Sequence, residues 1–180
     1  MIYSPAEDSF LIEKEVLNRA RGKRVLDMGS GSGILALAAI EAGASEVLCV
    51  DIDSESVEFL SRKGLSVVKS DLFERIEGKW DLIVFNPPYL PADLREDLES
   101  GRITSGGKKG DEIIVRFLNH AGKYLNDNGK ILIVVSSLTP LERIKKTLWE
   151  KDFVYEKIAE KKIFMEGLEV WEIRRKIYRL

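Results

Sequence analysis

The sequence predicts an α/β protein with a mainly parallel, seven-stranded sheet, helices on both faces and an antiparallel hairpin closing the C-terminal end. Three observations predict it. Short β-branched runs alternate with helical patterns through the first 150 residues. These runs are apolar throughout rather than alternating, as strands covered on both faces are. From residue 153 the pattern changes to two longer strands joined by a tight turn.

The first element is the helix in "SPAEDSFLIEKEVL". Ser4 at the N-cap, Pro5 at the first helical position and Glu7 two residues later form a capping box. That role explains these residue types fully, so any ligand role for Glu7, Asp8 or Ser9 needs other support. "RVLDM" is the first strand, and "LDMGSGSGIL" carries it into a helix through Gly29, Gly31 and Gly33. A glycine-rich turn at a strand–helix junction lets backbone approach a ligand and exposes the helix N-terminus. The dinucleotide fingerprint G-x-G-x-x-G/A is not met, because Ile34 stands where its last glycine would fall and Asp27 precedes the turn. A carboxylate there suits a ligand ammonium better than a pyrophosphate.

"EVLCVDI" is the second strand, and Asp51 lies at its carboxyl end, where open α/β sheets bind ligands and a carboxylate can accept both hydroxyls of a ribose. Asp53 is read as the cap of the helix "SESVEFLSRKG". The third strand, "SVVKS", leads to Asp71 and Leu72, placed to accept from an adenine amino group and to cover its ring. "WDLIVF" is the fourth strand, and it runs directly into Asn86, Pro87, Pro88 and Tyr89. Two prolines remove two donors and fix φ twice, so the chain leaves the sheet in a stiff direction, and the Asn86 and Pro87 carbonyls lose their ladder partners.

Residues 90–111 have no clear period, and their place after "NPPY" suggests a substrate lid. A helix over "DEIIVRFLNHAGKYL" then precedes "NDNG", "KILIVV" is the fifth strand, and "TPLERIKKTLWEKD" is a helix capped by Thr139 with Pro140 at its first position. "FVYEKIAEKKIFM" and "LEVWEIRRKI", joined through Glu166 and Gly167, form the hairpin; "EKIAEKK" reads as a solvated strand face.

Composition narrows the function classes. A chain of 180 residues supports one domain, residues 1–180, with residues 1–20 as an N-terminal capping helix. Hydrophobic residues at 44% and charged residues at 32% describe a globular protein with a charged surface. The net charge of -2 carries no footprint of nucleic-acid binding. Cys49 is the one cysteine and His120 the one histidine, so no disulfide framework and no zinc site is expected from this chain. Cys49, within an apolar strand, reads as a buried inert thiol. Two early carboxylates argue against a secretory signal and no segment is long and apolar enough for a bilayer, so a cytoplasmic protein is expected. The lack of glutamine, with abundant Lys and Glu, is a bias reported for proteins of hot environments.

"LDMGSGSG", "VDID", "SDLF" and "NPPY", in this order and on these elements, resemble the Rossmann-like class I S-adenosylmethionine-dependent methyltransferases over nearly the whole chain. With "YSPAEDSFLI" in front and "GGKKGDEIIVRFL" behind, the sequence is most similar to the HemK-like protein-glutamine methyltransferases of the short archaeal and eukaryotic branch. The resemblance implies that Ser9 folds against S-adenosylmethionine. It further implies that Asp27, Gly29 and Gly31 hold the methionine end, Asp51 the ribose, and Asp71 with Leu72 the adenine, with Asn86 beside the methyl. Similar enzymes methylate a conjugated planar nitrogen. Asn86 and the Pro87 carbonyl would then orient and stabilise it as charge develops, and Tyr89 would stack on the planar group.

The substrate implied is the glutamine of the Gly-Gly-Gln loop of a class I peptide-chain release factor, with methylation of an adenine or guanine amine in nucleic acid as the alternative. A catalytically silent binding subunit is a further alternative, against which the intact "NPPY" argues. Bacterial relatives carry an extra N-terminal helical domain that grips the release factor; a single helix precedes the first strand here, so docking is expected elsewhere. A small zinc-ribbon activator protein is implied as partner, pairing with the edge strand at residues 65–70.

Overall fold

The computed structural model describes residues 5–89 and 110–177; Ser4 and nearly all of the expected lid lie outside them. The apolar runs form β1 (Arg24–Met28), β2 (Glu46–Asp51), β3 (Val67–Lys69), β4 (Trp80–Phe85), β5 (Leu125–Ser136), β6 (Phe153–Ile163) and β7 (Glu166–Arg175). Between and before them lie α1 (Glu7–Arg19), α2 (Ile34–Glu41), α3 (Ser54–Arg62), α4 (Glu112–Tyr124) and α5 (Leu141–Glu150). One seven-stranded sheet has the order β3-β2-β1-β4-β5-β7-β6. The strands β1 to β5 pair in parallel, and β7 runs antiparallel to both neighbours.

The central strands read as unbroken apolar runs because both of their faces are covered. Along β4, Leu82 and Val84 pack with Ile12, Val16 and Leu35 of α1 and α2. Ile83 and Phe85 turn the other way onto Ile114 and Phe117 of α4, with the Phe85 and Phe117 ring centroids 4.7 Å apart. Alternation with period two thus serves two cores, and each such side chain contributes about 1.5–3 kcal/mol by leaving water. Among the described residues no helix is long and apolar enough to cross a membrane.

Four local expectations are corrected. α1 begins at Glu7 with extended Ala6 in the cap position, so Pro5 precedes the helix instead of starting it. The Asp8 carboxylate itself accepts the first-turn N–H of Ser9 at 2.6 Å, meeting a donor that a more distant cap would have served. Pro140, not Thr139, occupies the cap position of α5, because the Thr139 hydroxyl donates to the Tyr89 carbonyl at 3.0 Å. The hairpin turns at Phe164 and Met165, the latter at φ 59°. Glu166 and Gly167 already belong to β7, since Ser136 Oγ donates to Glu166 at 2.6 Å and Ser137 N–H donates to the Gly167 carbonyl at 2.8 Å. Finally, "NDNG" lies within β5 as an excursion: pairing passes from Trp80–Leu125 directly to Leu82–Lys130. Asn126 Nδ2 anchors it by donating to Asp81 at 2.6 Å.

Candidate active site

The chain order reverses between β1 and β4, which makes the crevice beyond their carboxyl ends the place where an open α/β sheet binds ligands. The predicted residues converge there from several strands. Met28 and Phe85 are register partners, so the glycine turn after β1 and the Asn86 corner after β4 stand side by side.

Gly29, Gly31 and Gly33 all have positive φ. At Gly33 the need for glycine is also steric, because a Cβ would lie 2.6 Å from the Leu60 side chain. Asp51 fixes the turn from the neighbouring strand: its Oδ2 accepts from Gly31 N–H at 2.8 Å and its Oδ1 from Asp53 N–H at 2.9 Å. Burial raises the Asp51 pKa despite these bonds. Ser30 secures the turn from below, donating through Oγ to the Asp27 carbonyl at 2.7 Å and accepting from Val50 N–H at 3.0 Å.

Asp27 is 1% exposed. Its Oδ2 accepts from Ala36 N–H at 3.1 Å, whereas Oδ1 is buried with no hydrogen-bond partner. Burial is the largest cause that pushes its pKa up to about 7, opposed by Ser30 and the Ala36 N–H and reinforced by the Asp51 charge. Between the ordinary carboxylate value and about 7, the unfolded chain is ionised here while the folded chain holds the proton. The stability contributed by this site therefore falls as pH rises through that window. Thermal melts of wild type and Asp27→Asn from pH 4.5 to 8 are expected to diverge, the variant losing less stability toward high pH; parallel profiles would contradict the assignment.

Asp71 meets Arg116 of α4, whose Nη2 donates to Oδ2 at 2.9 Å, and Leu72 stands at φ 49° against the α4 core. On the β4 side, Asn86 Nδ2 donates to Ser9 Oγ at 3.3 Å, and Asn86 Oδ1 is buried without a partner. Pro87 is buried beside it. Tyr89 is held at two points, its hydroxyl donating to Asp8 Oδ2 at 3.3 Å and its carbonyl accepting from Thr139. Asp27 Oδ1 and Asn86 Oδ1 are thus two buried acceptors without partners, near the ends of adjacent strands. Buried acceptors without partners cost roughly 1–3 kcal/mol each, which a ligand donating to them recovers. An ammonium suits the first and an NH2 group the second.

Asp8, Arg116 and Thr139 were not among the sequence-derived site residues. Capping explained Asp8 and Thr139, and Arg116 sits among the residues of an ordinary amphipathic helix.

A parallel sheet reversing at β1/β4, closed by an antiparallel β7 and carrying this rim of carboxylates, defines a class I methyltransferase, the fold class that uses S-adenosylmethionine as methyl donor. The methyltransferase small domain family matches residues 9–165, and the chain belongs to it. A provisionally named protein N5-glutamine methyltransferase of Methanocaldococcus jannaschii is 37% identical over 177 residues, covering 94% of this chain and 89% of that protein. Methyltransferase HEMK2 of Mus musculus is 31% identical over 165 residues, covering 82% of this chain and 77% of its own. Among solved structures, the E. cuniculi Mtq2-Trm112 complex, described as responsible for methylating the eRF1 translation termination factor, matches with a TM-score of 0.78. It is 25% identical and covers 97% of this chain and 99% of that chain.

Proposed function

We propose that the protein transfers the methyl group of S-adenosylmethionine to the side-chain amide nitrogen of a glutamine, in the Gly-Gly-Gln loop of a class I release factor in the cytoplasm. The observation that carries this reading is the buried, unpartnered Asn86 Oδ1 at the end of β4. It is an acceptor shaped for an NH2 group. The relatives named above support the choice of a glutamine amide.

S-adenosylmethionine supplies an electrophilic methyl on a sulfonium. Asp27 would face its ammonium through Oδ1, Gly29 and Gly31 would let backbone approach the methionine portion, Asp51 would accept from the ribose hydroxyls, and Asp71 with Leu72 would receive the adenine. Ser9 packs beside it. An amide nitrogen is a weak nucleophile because its lone pair is delocalised. Asn86 Oδ1 and the Pro87 carbonyl would accept its two N–H groups, aim the nitrogen at the methyl, and stabilise positive charge as the C–N bond forms and the methyl–sulfur bond breaks, its electron pair leaving on the neutral thioether sulfur. Tyr89, pinned at hydroxyl and carbonyl, lies against the planar amide and excludes water. The methylated nitrogen would then give its extra proton to water, so no titrating base is required.

The reading includes a small zinc-ribbon activator adding a strand to β3. Among the described residues β3 pairs only with β2. The Ser66 carbonyl and Ser70 N–H point toward β2, so alternation turns the backbone groups of Val67 and Lys69 outward. Lys69→Pro removes one outward donor and spares the β2 ladder. It is expected to abolish co-purification of the activator while cofactor affinity, by calorimetry, stays within twofold; an intact heterodimer would contradict the edge-pairing.

Transfer of labelled methyl in parallel to a release factor, its Gln→Asn variant and total nucleic acid tests the proposed substrate. Label in the unaltered release factor alone is expected. Label in nucleic acid alone would overturn the substrate and leave the fold intact.

A further inference from the structure

We infer that Asp8 is a positioning residue, whose carboxylate sets the sense of the Asn86 amide through the Ser9 hydroxyl and holds Tyr89 with its second oxygen. The argument follows the protons. Asp8 and Ser9 are buried in the first turn of α1, at 5% and 2% exposure. Asp8 Oδ1 receives the Ser9 N–H at 2.6 Å and the Ser9 hydroxyl at 3.3 Å. Oδ1 is the acceptor in that contact, so the single proton of Ser9 Oγ is committed to Asp8. What Ser9 Oγ then offers Asn86 is a lone pair, and only the NH2 end of the Asn86 amide can answer it, as it does at 3.3 Å.

The other end, Oδ1, is forced away from Ser9 into the buried position where it has no partner. With a neutral amide at position 8, the Ser9 hydroxyl could turn its proton to Asn86 instead. Asn86 would then flip at almost no cost, presenting a donor where the acceptor substrate also presents donors. Asp8 Oδ2 meanwhile accepts from the Tyr89 hydroxyl at 3.3 Å. One carboxylate on α1 therefore orders both polar residues of the "NPPY" corner, Tyr89 directly and Asn86 through Ser9.

This inference rests on the proposed amide acceptor for its catalytic consequence, but not for its geometry. Asp8→Asn is the decisive variant, because it preserves shape and the Ser9 hydroxyl while removing the accept-only group. Two readouts follow. In 15N-labelled protein without substrate, the Asn86 side-chain NH2 is expected to exchange with solvent slowly in wild type and at least tenfold faster in Asp8→Asn. With the Gly-Gly-Gln protein as acceptor, kcat is expected to fall by about 10²-fold, while KM for S-adenosylmethionine and its calorimetric Kd stay within twofold. The pair Asp8→Asn with Ser9→Ala should be no worse than the weaker single variant. Unchanged Asn86 exchange in Asp8→Asn would overturn the inference whatever the acceptor proves to be. A loss of turnover matched by an equal loss of cofactor binding would overturn it as well. Failure of wild type to methylate the protein would sink the substrate reading alone, and the exchange measurement would still decide the role of Asp8.

Discussion

Asn86→Ala is expected to reduce kcat by about 10³-fold, the scale on which removal of a preorganised polar contact to developing charge acts, with the Kd of S-adenosylmethionine changed by less than threefold. The asymmetry follows from geometry. Asn86 Oδ1 is buried and unpartnered while Nδ2 is fixed on Ser9, so the side chain is ordered before any acceptor arrives. On the proposed mechanism its contribution falls on the accepting nitrogen, where a ground-state contact and a transition-state contact differ most. Asn86→Asp separates shape from chemistry: the carboxylate still accepts, but it cannot donate to Ser9, so partial activity with a raised KM for the protein acceptor is expected. Single-turnover kinetics at saturating cofactor check both variants. Full turnover by Asn86→Ala would refute the pocket mechanism.

Asp51→Ala should act on the opposite parameter. Both carboxylate oxygens already hold backbone N–H groups, of Gly31 and Asp53, at 2.8 and 2.9 Å, and the proposed ribose contact would use their remaining lone pairs. Removing the carboxylate loses charge-assisted bonds and releases Gly31. Cofactor affinity is expected to weaken by ~2 kcal/mol, roughly 30-fold, with kcat at saturating cofactor reduced far less. Calorimetric titration measures it directly. An unchanged Kd would remove Asp51 from the cofactor site.

Much of this site is legible in the sequence, for a physical reason. Strands buried on both faces are apolar by necessity, so a carboxylate or amide at the end of such a run stands out. Asp27, Asp51 and Asn86 are visible in that way, and the sheet order places them around one crevice. Asp8, Thr139 and Arg116 are not, because their residue types have complete local explanations. Asp and Thr at a helix start read as caps, and an Arg on a helix surface reads as solvated. Their actual partners are Tyr89 and Ser9, the Tyr89 carbonyl, and Asp71. Only folding brings most of these together.

The same competition explains the displaced boundaries. Thr139 is drawn from its cap to Tyr89, and Glu166 and Gly167 are drawn from the turn into β7 by Ser136 and Ser137. In each case a long-range polar contact outweighs a local preference worth about 1 kcal/mol. The glycine turn, by contrast, is read correctly from sequence because its requirement is local: positive φ at three alternate positions.

On the proposed mechanism Asn86 receives a glutamine side-chain amide and the methyl arrives on its nitrogen. Tandem mass spectrometry of a Gly-Gly-Gln release factor, after incubation with S-adenosylmethionine and either wild type or Asn86→Ala, tests this most directly. The predicted result is a single added methyl on the glutamine side-chain nitrogen with wild type, and none with the variant over the same interval. A methyl found on another residue, or the same modification formed equally by Asn86→Ala, would contradict it.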